Sequence, residues 1–138
     1  MEGGAVLMGH SESGFFPEEA ALIDPTGIRG LVSIEGSCDR SFGQQPPPTP
    51  QEIAMLAKIP ILVVFGDHIA YSPFWPLFLS GCQRFVQQVN AAGGDATMLH
   101  LPAAGLFGNS HMLMQDKNNL QVADLILAWI DQHVEAKH

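Results

Sequence analysis

The sequence predicts an α/β fold of about four parallel strands with flanking helices, and three observations carry that reading. Short apolar runs of strand length alternate four times with longer segments of helical character, the pattern of a parallel sheet with right-handed crossovers. The run Ile61-Leu62-Val63-Val64-Phe65 is apolar without a break and is bounded by Pro60 and Gly66, which marks a central strand buried on both faces. In Phe74–Ala92, the residues Phe78, Cys82, Phe85 and Val89 recur at helical spacing before Gly93-Gly94, which describes an amphipathic helix and its stop.

The elements follow in order. Ala5 to Met8 is a short buried strand. Phe15 to Ile23 is a short helix with Pro17 tolerated in its first turn, and Asp24-Pro25-Thr26-Gly27 stops it. Ile28 to Glu35 is the second strand. Gly36 to Pro50 is a loop rich in Gln and Pro, too short for a helical lid, so an open pocket is expected. A short helix follows at Gln51 to Ala57, and then the Ile61–Phe65 strand and the Phe74–Ala92 helix. Thr97 to Leu101 is the fourth strand. Asn119 to Val134 is the last helix, expected to bury Ala123, Ile126, Leu127 and Ile130.

Composition narrows the function classes. The 138 residues make one domain at most and are 46% hydrophobic, enough for a core. A mean hydropathy of +0.14 speaks against disorder. Only 14% are charged, against about 25% in an ordinary globular domain, as expected if part of the surface is to be covered. A net charge of −8 without a basic cluster disfavours nucleic acid, whose binding needs Lys and Arg on phosphates. The apolar runs are too short to span a bilayer, and no charged-then-apolar leader opens the sequence. Cys38 and Cys82 lack metal-ligand spacing and read as core or surface thiols, with a disulfide left open. Sequence spacing offers no metal constellation and no Gly-rich phosphate loop.

The most informative segment is Gly9-His10-Ser11-Glu12-Ser13-Gly14. A serine stands among small residues directly after an apolar strand and before a helix, the form of a nucleophile elbow. Such a sharp turn brings backbone and side chains together, so its flanks must be small and its serine strained. The usual glycine two places after the serine is here Ser13, with Gly14 next.

Together with Gly108-Asn109-Ser110-His111-Met112-Leu113-Met114-Gln115-Asp116, this segment resembles the C-terminal half of an α/β-hydrolase, from the elbow strand to the final helix. In that superfamily the loop after the last strand carries the catalytic histidine. The second stretch is similar to bacterial serine esterases with a Ser–Glu–His triad, in which the acid follows the strand after the elbow strand. The resemblance covers nearly the whole chain, as the C-terminal portion of a single domain spanning residues 1–138. It implies Ser11 as nucleophile, His111 as base and Glu35, at the end of the second strand, as acid. Asp67 is the alternative acid: it ends the Ile61–Phe65 strand but follows Gly66 at once, where the commonest pattern has the aspartate at the position occupied by Ile69.

Acyl transfer to Ser11 needs hydrogen-bond donors for the oxyanion, and the backbone N–H of Glu12 is the expected first donor. The second would come from a loop after the superfamily's third strand, which has no match here. On that resemblance the superfamily's first four strands would have no match here either, leaving Val6 and Leu7 on an unpaired edge. Met1 lies only a few residues before the elbow strand, as if the chain opened mid-domain. The resemblance therefore implies an ester-cleaving serine hydrolase with a small-molecule ester substrate and no cofactor or metal, weak or inactive alone, and prone to pair with itself or with an N-terminal half. The alternative is a non-catalytic remnant or interaction module that pairs through the same edge. Of the other histidines, His10 is expected beside the elbow and His68 near the site. His100, His133 and His138 read as strand, helix and tail residues. Met112 and Met114 read as core or pocket lining. Pro73, Phe74 and Trp75 are candidates for an acyl-pocket wall, with plain packing the simpler reading.

Overall fold

Strands β1 (Ala5–His10), β2 (Ile28–Ile34), β3 (Ile61–Phe65) and β4 (Ala96–His100) form one parallel sheet in that spatial order in the computed structural model, which describes residues 3–40 and 45–134. His138 and residues 41–44 of the Gly36–Pro50 loop lie outside the described residues. Helices α1 (Phe16–Ile23), α2 (Pro50–Leu56) and α3 (Trp75–Ala91) connect the strands, and α4 (Asn119–His133) follows β4.

Alternation along β2 and β3 splits the core in two. Leu31, Ile61, Val63 and Phe65 point to one face and pack with Ala21, Ile53, Leu56, Phe85 and Val89 of the first three helices. Val32, Ile34, Leu62 and Val64 point to the other and meet Val122, Ile126 and Trp129 of α4. Helices on both faces are why β3 is apolar at every position. Each such side chain, fully buried, stabilises the fold by about 1.5–3 kcal/mol relative to exposure.

Three expectations are corrected. Cys38 and Cys82 are joined as a disulfide, which ties the loop after β2 to α3; spacing along the chain carries no information on a pairing made by tertiary contact. Helix α4 buries Val122, Ile126 and Trp129, whereas Ala123 is exposed and Leu127 is 57% exposed. The Trp129 indole N–H donates to Thr97 Oγ1 at 2.9 Å, which fixes the roll of the helix. Ala123 and Leu127 then line an apolar groove of about 310 Å³ with Met8, Ile34 and Leu113.

That groove lies beside a free edge. Among the described residues, β1 pairs in the sheet with β2 alone. Ala5 to Met8, expected as a buried strand, is not buried, because its outer side has no partner strand among the described residues: Ala5 is exposed, Val6 and Leu7 are half-buried, each packed against one of the two cores, and Met8 is 53% exposed.

Candidate active site

Because all strands run parallel, the ends of β1, β2, β3 and β4 share one edge of the sheet, and the chain leaves it at Ser11, Glu35, Gly66 and Leu101. Ser11 has φ +60°, a left-handed conformation rarely adopted by a side-chain-bearing residue. The turn closes by the Gly14 N–H donating to Ser11 O at 2.9 Å. Two glycines are required sterically. A Cβ at Gly9 would collide with the Ser13 carbonyl, and one at Gly14 would lie 2.5 Å from Gly36 Cα. Gly14 and Gly36 thus let the loops after β1 and β2 touch backbone to backbone, bringing Ser11 beside Glu35. Ser13, where a glycine was expected, folds back: its Oγ donates to His10 O at 2.8 Å and accepts from His10 N at 3.2 Å.

The structure brings Ser11, Glu35 and His111 together. His111 Nε2 is 2.7 Å from Ser11 Oγ, and its Nδ1 is 3.3 Å from Glu35 Oε2. Glu35 is fully buried, with φ +52° at the strand end, and its Oε1 accepts the Gly66 N–H. Asp67 does not join them. Its carboxylate accepts the Gly108 N–H at 2.7 Å, pinning the base of the loop that carries His111. That loop is held further by buried Asn109, whose amide donates to Asp116 and Asn118, and by Ser110, whose N–H and hydroxyl both donate to Asp116.

Three aromatic neighbours surround His111. The His10 ring N–H at Nε2 donates to His111 O at 2.8 Å, a link between elbow and loop that its position beside Ser11 only hinted at. Trp75 packs against the His111 ring at 4.4 Å between centroids, while Phe74 is exposed. His68 Nε2 lies 2.6 Å from Glu35 Oε2, the oxygen that His111 also approaches. Glu35, His68 and His111 form a set of two imidazoles and one carboxylate with ligand atoms within 4.8 Å, which sequence spacing did not disclose because β2, β3 and the last loop meet only in the fold. Two ligands on one zinc ion stand about 3.3 Å apart when the bonds are about 2.0–2.2 Å; 2.6 Å is hydrogen-bond spacing. His100 ends β4 with Nε2 buried and unpaired, and His133 binds Asp95 at 2.8 Å, so neither reaches the site. Met112 and Met114 are exposed.

A cleft of about 410 Å³ opens beside Glu12, lined also by Phe15, Phe16, Glu19, Ser37, Arg40 and Gln45. Arg40, one of its lining residues, is bound by Glu19 at 2.5 Å and Glu52 at 2.9 Å. These hydrogen bonds hold its guanidinium above its usual range and the Glu52 carboxyl down at about 2. With both forks of Arg40 engaged, the cleft presents Phe15 and Phe16 rather than a free cation to an occupant.

No protein-family model matches the chain. Over 96% of its length it is similar to the solved structure of a bacterial esterase, with 47% identity and a TM-score of 0.86, and it spans 39% of that chain. A thermostable esterase matches over 89% of the chain at 13% identity and a TM-score of 0.54, which speaks to fold alone, and 30% of that chain is covered. A probable secreted lipase, phiG, from a fungal species is 31% identical over 83 residues, 60% of this chain and 21% of that protein.

Proposed function

With the architecture of an α/β-hydrolase-type esterase in part, we propose that this chain carries the nucleophile elbow and triad of a carboxylic ester hydrolase acting through an acyl-enzyme. The observation behind the reading is the continuous contact from Ser11 Oγ through His111 to Glu35. Ser11 attacks the ester carbonyl as His111 Nε2 takes its proton. Glu35 Oε2 accepts a hydrogen bond from His111 Nδ1–H, which orients the ring and stabilises the imidazolium without taking its proton. His111 then protonates the departing alcohol. A water molecule, activated by the same imidazole, attacks the acyl-enzyme and releases the acid and free Ser11. The Glu12 N–H is the first oxyanion donor, and the cleft beside Glu12 receives an apolar part of the substrate.

The same reading accounts for the open side of the sheet. The chain spans well under half of the esterase it matches. We propose that a further portion of the α/β fold pairs with the free edge of β1, fills the apolar groove between β1 and α4, and brings the second oxyanion donor. Without that portion the edge is a template for self-pairing. In a second reading the edge is itself the function, and the chain is an interaction module; the free edge and the groove favour it.

Light scattering and a p-nitrophenyl ester assay on the 138-residue chain separate the readings. The expected result is an associated species with slow p-nitrophenol release that Ser11→Ala abolishes. Losing one oxyanion donor typically costs about 10²–10³ in rate, so slow release is the signature of an incomplete hole. A fast, stable monomer would overturn the docking proposal, and equal release by Ser11→Ala would overturn the hydrolase.

A further inference from the structure

Glu35 holds one more imidazole than a three-residue triad needs. Its Oε1 accepts the Gly66 N–H, and its Oε2 is approached by His68 Nε2 at 2.6 Å and His111 Nδ1 at 3.3 Å. His68 stands in the short 3-10 turn His68–Tyr71 that follows β3, so the strand beside β2 delivers it to the acid. Trp75 meets the His68 ring edge-on at 5.4 Å and lies against the His111 ring at 4.4 Å, and the two imidazoles meet each other edge-on at 5.8 Å. The side chain of Glu35 is fully buried and that of His68 is 17% exposed, so their contact is shielded from water. An ionised carboxylate only accepts, so His68 must carry a proton on Nε2 to make the shorter of the two bonds.

We propose that His68 is a positioning residue, which fixes Glu35 Oε2 and divides its negative charge between two imidazoles. This rests on the triad reading above. With His68 present, His111 receives only part of the carboxylate's pull. Without it, Oε2 is free to move toward His111 and tighten a bond that is now 3.3 Å long. The titratable groups facing this pair are Glu35 and His111, with His10 on the far side of His111; Asp67 is turned away to the Gly108 N–H.

Two variants separate the roles. His68→Phe keeps a ring against Trp75 but removes the donor, and His68→Gln keeps an N–H near the Nε2 position. The readout is the pH dependence of Ser11 phosphonylation by a fluorophosphonate. In His68→Phe the acid limb of the profile is expected to move up by about one pH unit, because an imidazolium held by an unshared carboxylate loses its proton later. His68→Gln is expected to keep the wild-type profile. An unmoved limb in a folded His68→Phe chain would overturn the proposal. If that variant does not fold, ¹⁵N-histidine spectra of the wild-type chain decide: a neutral His68 protonated at Nε2 supports it, and one protonated at Nδ1 overturns it. These spectra do not depend on Ser11 reacting, so failure of the triad reading leaves a distinct signature, an unlabelled Ser11.

Discussion

Glu35→Gln is expected to slow acylation of Ser11 by several orders of magnitude, with Asp67→Asn close to wild type. The amide has nearly the shape of the carboxylate but presents an N–H as well as an oxygen, which favours the wrong tautomer of His111. The equivalent change in a serine protease triad lowers kcat by about 10⁴. The site leaves little room for compensation, because Glu35 is fully buried and no other carboxylate among the described residues pairs with His111. Asp67 serves the loop through the Gly108 N–H, a bond that an asparagine oxygen still accepts. Labelling rates of the two variants, measured side by side with a fluorophosphonate, check this. Equal losses, or a larger loss in Asp67→Asn, would return the acid role to Asp67.

The second large effect is on stability. Glu18, in the first turn of α1, is fully buried, and among the described residues neither of its carboxylate oxygens has a hydrogen-bond partner in another residue. Burial pushes its carboxyl up to about 8, against a smaller opposing pull from its own backbone N–H and with a further push from the charge of Glu19. The native state thus holds a proton that the unfolded chain, with an ordinary value of 4.5, has already released. Stability is full below that value and is lost as pH rises to about 8, where the native carboxyl also ionises. A shift of this size corresponds to about 4–5 kcal/mol at about 1.4 kcal/mol per unit. Glu18→Gln should match the wild type near pH 5 and lose the decline toward pH 8. Its buried amide still costs about 1–3 kcal/mol unpaired, so the expected gain at pH 8 over wild type is the slope removed, with no extra credit. Urea unfolding at the two pH values measures it. A wild-type chain equally stable at pH 5 and pH 8 would contradict the burial argument.

Much of the fold was legible because its signals are local. The unbroken apolar run of β3, the elbow segment and the Gly93-Gly94 stop each act within a few residues, and the strands and helices stand within two residues of the expected bounds. The parallel order then dictates that Ser11, Glu35 and the His111 loop leave the same edge. What stayed hidden depends on contacts between distant positions. The Cys38–Cys82 bond joins residues separated by 44 positions. The roll of α4 is set by a bond from Trp129 to Thr97 that helical spacing cannot express. His68 and Asp67 are neighbours in sequence, yet one turns to Glu35 and the other to Gly108. The 3-10 turn after β3 makes that choice, and no pattern of residue types specifies it.

In the proposed mechanism Ser11 is a nucleophile raised by a strained turn and activated by His111. The most direct measurement is the intact mass of the 138-residue chain after exposure to a fluorophosphonate, with the modified peptide sequenced. One adduct per chain is expected, on Ser11, absent in both Ser11→Ala and His111→Ala. No adduct on the folded chain, or an adduct on another residue that survives in Ser11→Ala, would contradict it.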